Sequence, residues 1–299
     1  MNKIINADAL EAMRTLPDSC CRTCITSPPY YGLRDYGTAG QIGLEDTPDQ
    51  YIENLVKIFR EVRRVLKDDG TLWVNIGDSY TQKNLNGIPW LLAFALRSDG
   101  WYLRSDIIWQ KPNAMPESVK DRPTRAHEYI FLLSKSPRYY YDAEAVKEPA
   151  VGFYNAAPAG SAGTGKPNAR RRGNSRTFRG GGAYTHDRAQ NNSATVERES
   201  HGLAPNESGK RNRRSVWTVA TRPYKGAHFA TYPEELVRPC ILAGSRPGDT
   251  VLDPFAGSGT TGAVAAQEGR DFIGIEINPD YCEIIRQRLD ACCQKGAKP

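Results

Sequence analysis

Two stretches of this chain carry residue types and spacings that could do chemistry. The first is Thr26-Ser27-Pro28-Pro29-Tyr30, which follows an apolar run. Its two prolines lock φ and supply no N–H to a ladder, so Ser27 is pushed into an extended conformation and the local carbonyls are held rigid. A stiff turn loaded with acceptors and followed by an aromatic ring suits a planar, amine-bearing ring; an ordinary proline-rich loop would read the same way. The second stretch runs from Val251-Leu252-Asp253-Pro254-Phe255 into Ala256-Gly257-Ser258-Gly259-Thr260-Thr261-Gly262, an apolar strand entering a glycine-rich turn and an alanine-rich helix. Gly257 and Gly259 permit positive φ, and the helix N-terminus offers unpaired N–H groups. No lysine follows, as a phosphate loop requires, and Asp253 closes the strand where it would favour a cationic or hydroxyl-bearing ligand. Glu276, ending Asp271-Phe272-Ile273-Gly274-Ile275-Glu276, lies about 20 residues past the turn, where ribose hydroxyls are held. Together these point to an adenosyl cofactor without phosphates, against the plainer alternative of a structural turn.

The elements that must position these stretches alternate between strand and helix. Lys3 to Asn6 reads as a strand with Asp8 just beyond its carboxyl end, Ala7 to Leu16 as a helix, and Cys21 to Thr26 as a second strand. Thr47-Pro48-Asp49-Gln50 carries a cap residue, proline at the first helical position and Gln three after the cap. The stripe Tyr51, Leu55, Ile58, Phe59, Val62, Val65 and Leu66 continues that helix until Asp68-Asp69-Gly70. Strands follow at Thr71 to Gly77, Trp101 to Trp109 and Tyr129 to Leu133, with a short helix from Pro89 to Leu96. A final helix, capped by Asn278, should bury Tyr281, Ile284, Ile285 and Leu289. Such alternation predicts a mainly parallel α/β sheet. A doubly wound domain normally begins with its cofactor strand, yet here that strand is near the C-terminus. A circularly permuted order is therefore expected, with the strand at Lys3 following those at Val251 and Phe272 in space. The strand at Thr23 would then lie beside Val251. Ligands bind at such a switch point, beyond the strands' carboxyl ends.

Composition narrows the setting. The 299 residues are 39% hydrophobic, no stretch approaches the roughly 18 apolar residues of a membrane span, and the N-terminus lacks a signal-like apolar core, so a cytoplasmic protein is expected. Cys20, Cys21, Cys24, Cys240, Cys282, Cys292 and Cys293 are odd in number and form no disulfide framework, which predicts reduced thiols; Cys21 and Cys24 lack the second ligand pair of a zinc site, so no metal is expected. The net charge of +6 is unevenly spread. Residues 151–214 hold 12 Lys or Arg against 4 Asp or Glu, a net +8, so the rest of the chain carries −2. Three parts are expected: residues 1–150, a basic insertion at 151–214, and residues 215–299. Within the insertion Arg170, Arg171, Arg172, Arg176, Arg179, Arg211, Arg213 and Arg214 offer guanidinium groups to phosphates or base edges, unless the segment is merely solvated. His127 and Glu128 could form a catalytic pair, but neighbours on a strand face opposite ways, so holding structure or lining a cleft is the expected role. Cys240 is expected to be a buried thiol rather than a nucleophile.

The ordered combination of Ser27-Pro28-Pro29-Tyr30, a basic midsection and Asp253-Pro254-Phe255-Ala256-Gly257-Ser258-Gly259 resembles the beta-class amino DNA methyltransferases, as do Trp109-Gln110-Lys111-Pro112-Asn113 and Arg122 to Glu128. The resemblance implies a circularly permuted, Rossmann-like fold that binds S-adenosyl-L-methionine and methylates an exocyclic amine of an extruded base in double-stranded DNA. Serine at position 27 is similar to the N4-cytosine enzymes; adenine N6 is the nearest alternative. A protein-glutamine methyltransferase and a non-catalytic DNA-binding module are more distant ones. On this resemblance Ser27 and the Pro28 carbonyl accept the amine's hydrogens, Pro29 stiffens the turn and Tyr30 stacks on the base. Asp8, Thr231, Asp253, Phe255, Gly257, Ser258, Gly259, Thr260 and Glu276 would form the cofactor site, with His228 beside Thr231. Bacterial or phage origin, a homodimer and a cognate restriction endonuclease belong to the same implication.

Overall fold

The computed structural model describes residues 2–35, 37–38, 40–150, 209–221 and 232–296. By contact it divides into two compact units, Met1–Lys147 with Asn212–Pro299, and Glu148–Arg211. The described part of the smaller unit is one antiparallel pair, β8 (Glu148–Pro149) with β9 (Lys210–Arg211), in which Arg211 pairs with Glu148 at 2.9 Å.

The larger unit holds β1 (Lys3–Asn6), α1 (Ala9–Arg14), β2 (Cys21–Thr26), α2 (Pro48–Val65), β3 (Leu66–Ile76), β4 (Tyr80–Thr81), β5 (Asn84–Leu85), α3 (Ile88–Ser98), β6 (Tyr102–Gln110) and β7 (His127–Ser134). After the other unit come β10 (Val216–Thr218), α4 (Glu234–Gly244), β11 (Thr250–Asp253), α5 (Thr260–Gln267), β12 (Asp271–Glu276) and α6 (Pro279–Gly296). Eight strands form one sheet in the order β1-β12-β11-β2-β3-β7-β6-β10. This is the permuted order expected from the sequence. β1 pairs parallel with β12, and β11 lies parallel between β12 and β2, with Val251 opposite Thr23 and Leu252 opposite Cys24. Because β2 and β11 are parallel neighbours, the loops leaving their carboxyl ends emerge at the same edge of the sheet. The exception to parallel pairing is β7, antiparallel to both β3 and β6.

Helices cover both faces of this sheet and divide its core. On one side Tyr51, Leu55, Phe59, Val62 and Val65 of α2 pack with Met13 of α1, Leu92 and Leu96 of α3, and Leu72 and Val74 of β3. On the other, Leu236, Val237 and Ile241 of α4, Val264 of α5 and Ile285 and Leu289 of α6 pack on Val251, Phe272 and Trp73. α2 starts as its sequence predicts, with the Thr47 hydroxyl accepting from the Gln50 amide at 3.3 Å. Its end differs. The helix stops at Val65, and β3 runs through Asp68, Asp69 and Gly70, because Leu66 turns extended and pairs with Cys21. Among the described side chains of α6, Cys282, Ile285 and Leu289 are the buried apolar ones, whereas Tyr281 and Ile284 are half-buried. Cys240 lies inside α4 and is buried, as expected, and burial pushes its thiol pKa up. Among the described residues no helix is long and apolar enough to cross a membrane.

Candidate active site

β2 delivers Ser27 and β11 delivers Phe255, and a single carboxylate fixes the roots of both loops. Asp253 has no exposed surface. Its Oδ1 accepts from the Thr26 hydroxyl at 2.6 Å and the Phe255 amide at 3.1 Å, and its Oδ2 from the hydroxyls of Thr261 at 2.7 Å and Tyr232 at 3.1 Å. Burial raises the Asp253 pKa to about 6 against the pull of those four donors. Burial, then the Asp253 charge, raises the Tyr232 phenol pKa well above its ordinary value. Sequence reading placed Asp253 against a ligand. In the structure both oxygens accept from protein donors, and through them Asp253 holds Thr26 and Phe255.

The glycine-rich turn is built for close approach. Gly257 and Gly259 adopt φ of 51° and 79°, and a side chain at Gly259 would meet Ile285 at 2.9 Å, whereas Gly257 has open space around it. The Gly257 amide donates to Glu276 Oε2 at 2.8 Å and the Asn278 amide to Oε1 at 2.9 Å. These backbone donors leave this half-buried carboxylate with lone-pair capacity for a further donor such as a hydroxyl, and burial raises its pKa. Asp8 caps α1 by accepting from the Glu11 amide at 3.0 Å. It sits two residues beyond β1, which neighbours the Glu276 strand. Phe255 is half-buried. Ser258 and Thr260 are buried, and their hydroxyls accept from Arg288 of α6 at 3.3 Å each, which ties the turn to that helix. Thr231 and His228 lie outside the described residues, as do Arg170, Arg171, Arg172, Arg176 and Arg179.

On the Ser27 side the two prolines do what their chemistry dictates. The Pro29 carbonyl accepts from Tyr51 of α2 at 2.7 Å, tying the turn to the core, while no donor among the described residues occupies the Pro28 carbonyl. Ser27 is half-buried; its hydroxyl donates to the Tyr30 oxygen at 3.4 Å and accepts from Asn75 Nδ2 at 3.4 Å. The Tyr30 hydroxyl in turn donates to Glu128 Oε2 at 2.7 Å and accepts from Asn75 Nδ2 at 2.8 Å, and its ring lies so close to Gly77 that a side chain there would come within 2.7 Å. Burial, then the Glu128 charge, holds the Tyr30 phenol pKa well above its usual value, so it stays neutral. Glu128 also accepts from Asn75 at 3.0 Å and pairs with Lys111, whose ammonium stands 4.4 Å over the Trp109 ring. Asn75, Lys111 and Glu128 were not singled out together by the sequence. The available signal was alternation: His127 turns the other way to meet Tyr129 at 5.3 Å, leaving Glu128 on the cleft side.

Arg213 lies 4.5 Å over the Trp217 ring, and the Arg214 carbonyl accepts from the Trp217 indole at 2.7 Å.

A sheet permuted in this way, with a glycine turn and an acceptor-rich turn at one edge, defines a class, and comparison with known proteins agrees. The N6_N4_Mtase family model, described as DNA methylase, matches residues 21–287, and the chain belongs to that family. Within it, the chain is 47% identical to the type II methyltransferase M.Cfr9I of Citrobacter freundii, over 96% of this chain and 87% of that protein. It is 45% identical to the type II methyltransferase M.SmaI of Serratia marcescens, over 96% and 90%. The fold is shared with PvuII DNA methyltransferase (cytosine-N4-specific), at a TM-score of 0.66 and 20% identity, over 98% of this chain and 91% of that one. It is also shared with M1.HpyAVI in complex with S-adenosylmethionine, at 0.55 and 19%, over 97% and 100%. The chain is a DNA methyltransferase, and its family uses S-adenosylmethionine. The residues present fit that group: the turn has room at Gly257, carries no lysine for a phosphate, and faces carboxylate lone pairs at Glu276.

Proposed function

We propose that the protein transfers a methyl group from S-adenosylmethionine to the N4 amine of a cytosine extruded from double-stranded DNA, as a type II modification enzyme of the bacterial cytoplasm. The observation that carries this reading is Ser27, a hydroxyl whose own proton is directed to Tyr30 and whose oxygen, alongside the contact from Asn75, keeps a lone pair for an amine; the next residue, Pro28, offers a carbonyl that no donor among the described residues occupies. An exocyclic amine is a weak nucleophile because its lone pair is delocalised into the ring. Two acceptors that draw its hydrogens out of the plane make the nitrogen tetrahedral and nucleophilic. When bound, the cofactor supplies an electrophilic methyl on sulfur. The chain's part is to hold it and aim the amine: Glu276 and Asp8 take hydroxyl and amino groups, Phe255 packs on an apolar face, and the Gly257 and Gly259 backbone permits close approach. Tyr30 offers its ring to the extruded base, whose unstacking costs only a few kcal/mol. The insertion's arginines hold phosphates, so DNA affinity should fall steeply with salt.

The test is to incubate the protein with the donor and DNA carrying many sites, digest to nucleosides and identify the methylated base by mass spectrometry. N4-methylcytosine is expected. N6-methyladenine would move the assignment to the nearest alternative, which shares every element of the geometry except a preference at residue 27.

A further inference from the structure

Amine methylation leaves a proton to be disposed of. As the nitrogen bonds to the methyl carbon, the carbon–sulfur pair leaves with sulfur, and the nitrogen carries a positive charge until one of its hydrogens departs. Within the hydrogen-bonded cluster at Ser27, Asn75 donates through its amide and offers no basic site, and Lys111 is a cation. Among the described residues, the one carboxylate in this cluster is Glu128. It is also the end of a directed chain, because Ser27 donates to Tyr30 at 3.4 Å and Tyr30 donates to Glu128 at 2.7 Å. We infer that Glu128 is the terminal acceptor of the amine proton, reached through the hydroxyls of Ser27 and Tyr30.

The two transfers within the protein run along hydrogen bonds already pointing the right way, and the first needs only the amine seated on Ser27 Oγ. The amine proton passes to Ser27 Oγ, the Ser27 proton to the Tyr30 oxygen, and the Tyr30 proton to Glu128 Oε2. The products are a neutral methylated amine, a neutral serine, a neutral tyrosine and a protonated Glu128, so charge and atoms balance. Tyr30 suits the middle position because it begins and ends neutral. Its oxygen accepts from Ser27 and Asn75 while its single proton goes to Glu128, so no other orientation satisfies all three partners. Lys111 supports the carboxylate from its other oxygen, and the two N–H bonds of Asn75 serve the Tyr30 oxygen at 2.8 Å and Glu128 Oε2 at 3.0 Å, with Ser27 Oγ a longer 3.4 Å from the same nitrogen. The Glu128 side chain is 14% exposed, which gives the proton an exit to water after each turnover. The role belongs to amine methylation in general and holds for cytosine or adenine. It rests on the reading of Ser27 as the amine's acceptor.

The experiment measures single-turnover methyl transfer from tritiated donor into duplex DNA with enzyme in excess, for the wild type, Glu128→Gln, Tyr30→Phe and the double variant. Donor and DNA affinities are measured alongside. Gln keeps the size of Glu128 and still accepts from Tyr30, but cannot take up the proton. Phe keeps the ring and removes the relay hydroxyl. Each single variant should lose about a hundredfold or more in transfer rate, with affinities changed less than about threefold, and Glu128→Asp should recover part of the loss. Because the two residues act in series, the double variant should be no slower than the worse single one. A Glu128→Gln rate within about threefold of wild type overturns the relay. So do losses that multiply in the double variant, or that track lost affinity. A wild type that transfers no methyl to DNA overturns the underlying reading, and the relay with it.

Discussion

Replacing Asp253 by Asn should change how stability depends on pH. The carboxyl stands at about 6 in the folded protein against 3.8 for an ordinary aspartate, because full burial outweighs four hydrogen bonds. A raised folded pKa means that the folded chain binds the proton more tightly than the unfolded one. The stability linked to this group is therefore fully present below pH 3.8 and is lost as pH rises through 6. A shift of roughly two units corresponds to about 3 kcal/mol in total. Of this, about 1.4 kcal/mol falls between pH 5 and pH 7.5. Glu276, also raised, slopes the same way and Asp249, lowered, the opposite way, but both remain in the variant and cancel in the comparison. Asn cannot reproduce the four acceptor contacts, so the variant carries an offset that is constant with pH. Urea unfolding of both proteins without donor, at pH 5 and pH 7.5, gives the test. The wild type's advantage over the variant should shrink by about 1.4 kcal/mol at the higher pH. Parallel behaviour at the two pH values would refute the argument that Asp253 is held charged against burial.

Other outcomes follow from the same geometry. Ser27→Ala removes one amine acceptor and the first hydroxyl of the chain to Glu128, and should slow single-turnover transfer roughly a hundredfold or more while donor affinity, measured by calorimetry, is unchanged. Glu276→Gln exchanges a charged acceptor at the Gly257 amide for a neutral one and should weaken donor binding about tenfold, equivalent to about 1.4 kcal/mol, in the same titration. Gly259→Ala meets both a left-handed backbone and Ile285 at 2.9 Å, so about 2–4 kcal/mol of stability should be lost in urea melts. Gly269→Ala, with φ of 75° and open space around it, should lose only the backbone share of about 1–2 kcal/mol.

The sequence was most informative where local chemistry and global order agree. The glycine turn after Val251 and the prolines after Thr26 each mark a strand end, and the late position of the cofactor strand led to the permuted sheet that the pairing of β11 with β2 displays. The boundary between α2 and β3 was misread because Leu66 continues the helical stripe by spacing, yet tertiary pairing with Cys21 draws it into the sheet. Asp253 at a strand end reads like a ligand contact; only the fold reveals Thr26, Thr261 and Tyr232 closing around it, from three separate elements of the chain. Glu128 shows the converse. Alternation says that His127 and Glu128 face apart, but which of them meets Tyr30 is decided by the antiparallel insertion of β7 between β3 and β6. Asn75, one polar residue in an apolar strand, gains meaning only beside Ser27 and Tyr30.

The central claim is that the Ser27 turn and the Gly257 turn serve one groove, the first presenting an amine and the second aiming the methyl. A crystal structure with a non-reactive donor analogue and target duplex tests this most directly. The account predicts an extruded base whose amine nitrogen lies within hydrogen-bonding reach of Ser27 Oγ and the Pro28 carbonyl, with about 3–3.5 Å separating that nitrogen from the group at the methyl position. An analogue seated away from Phe255 and Glu276, or a base whose amine makes no contact with Ser27, would contradict it.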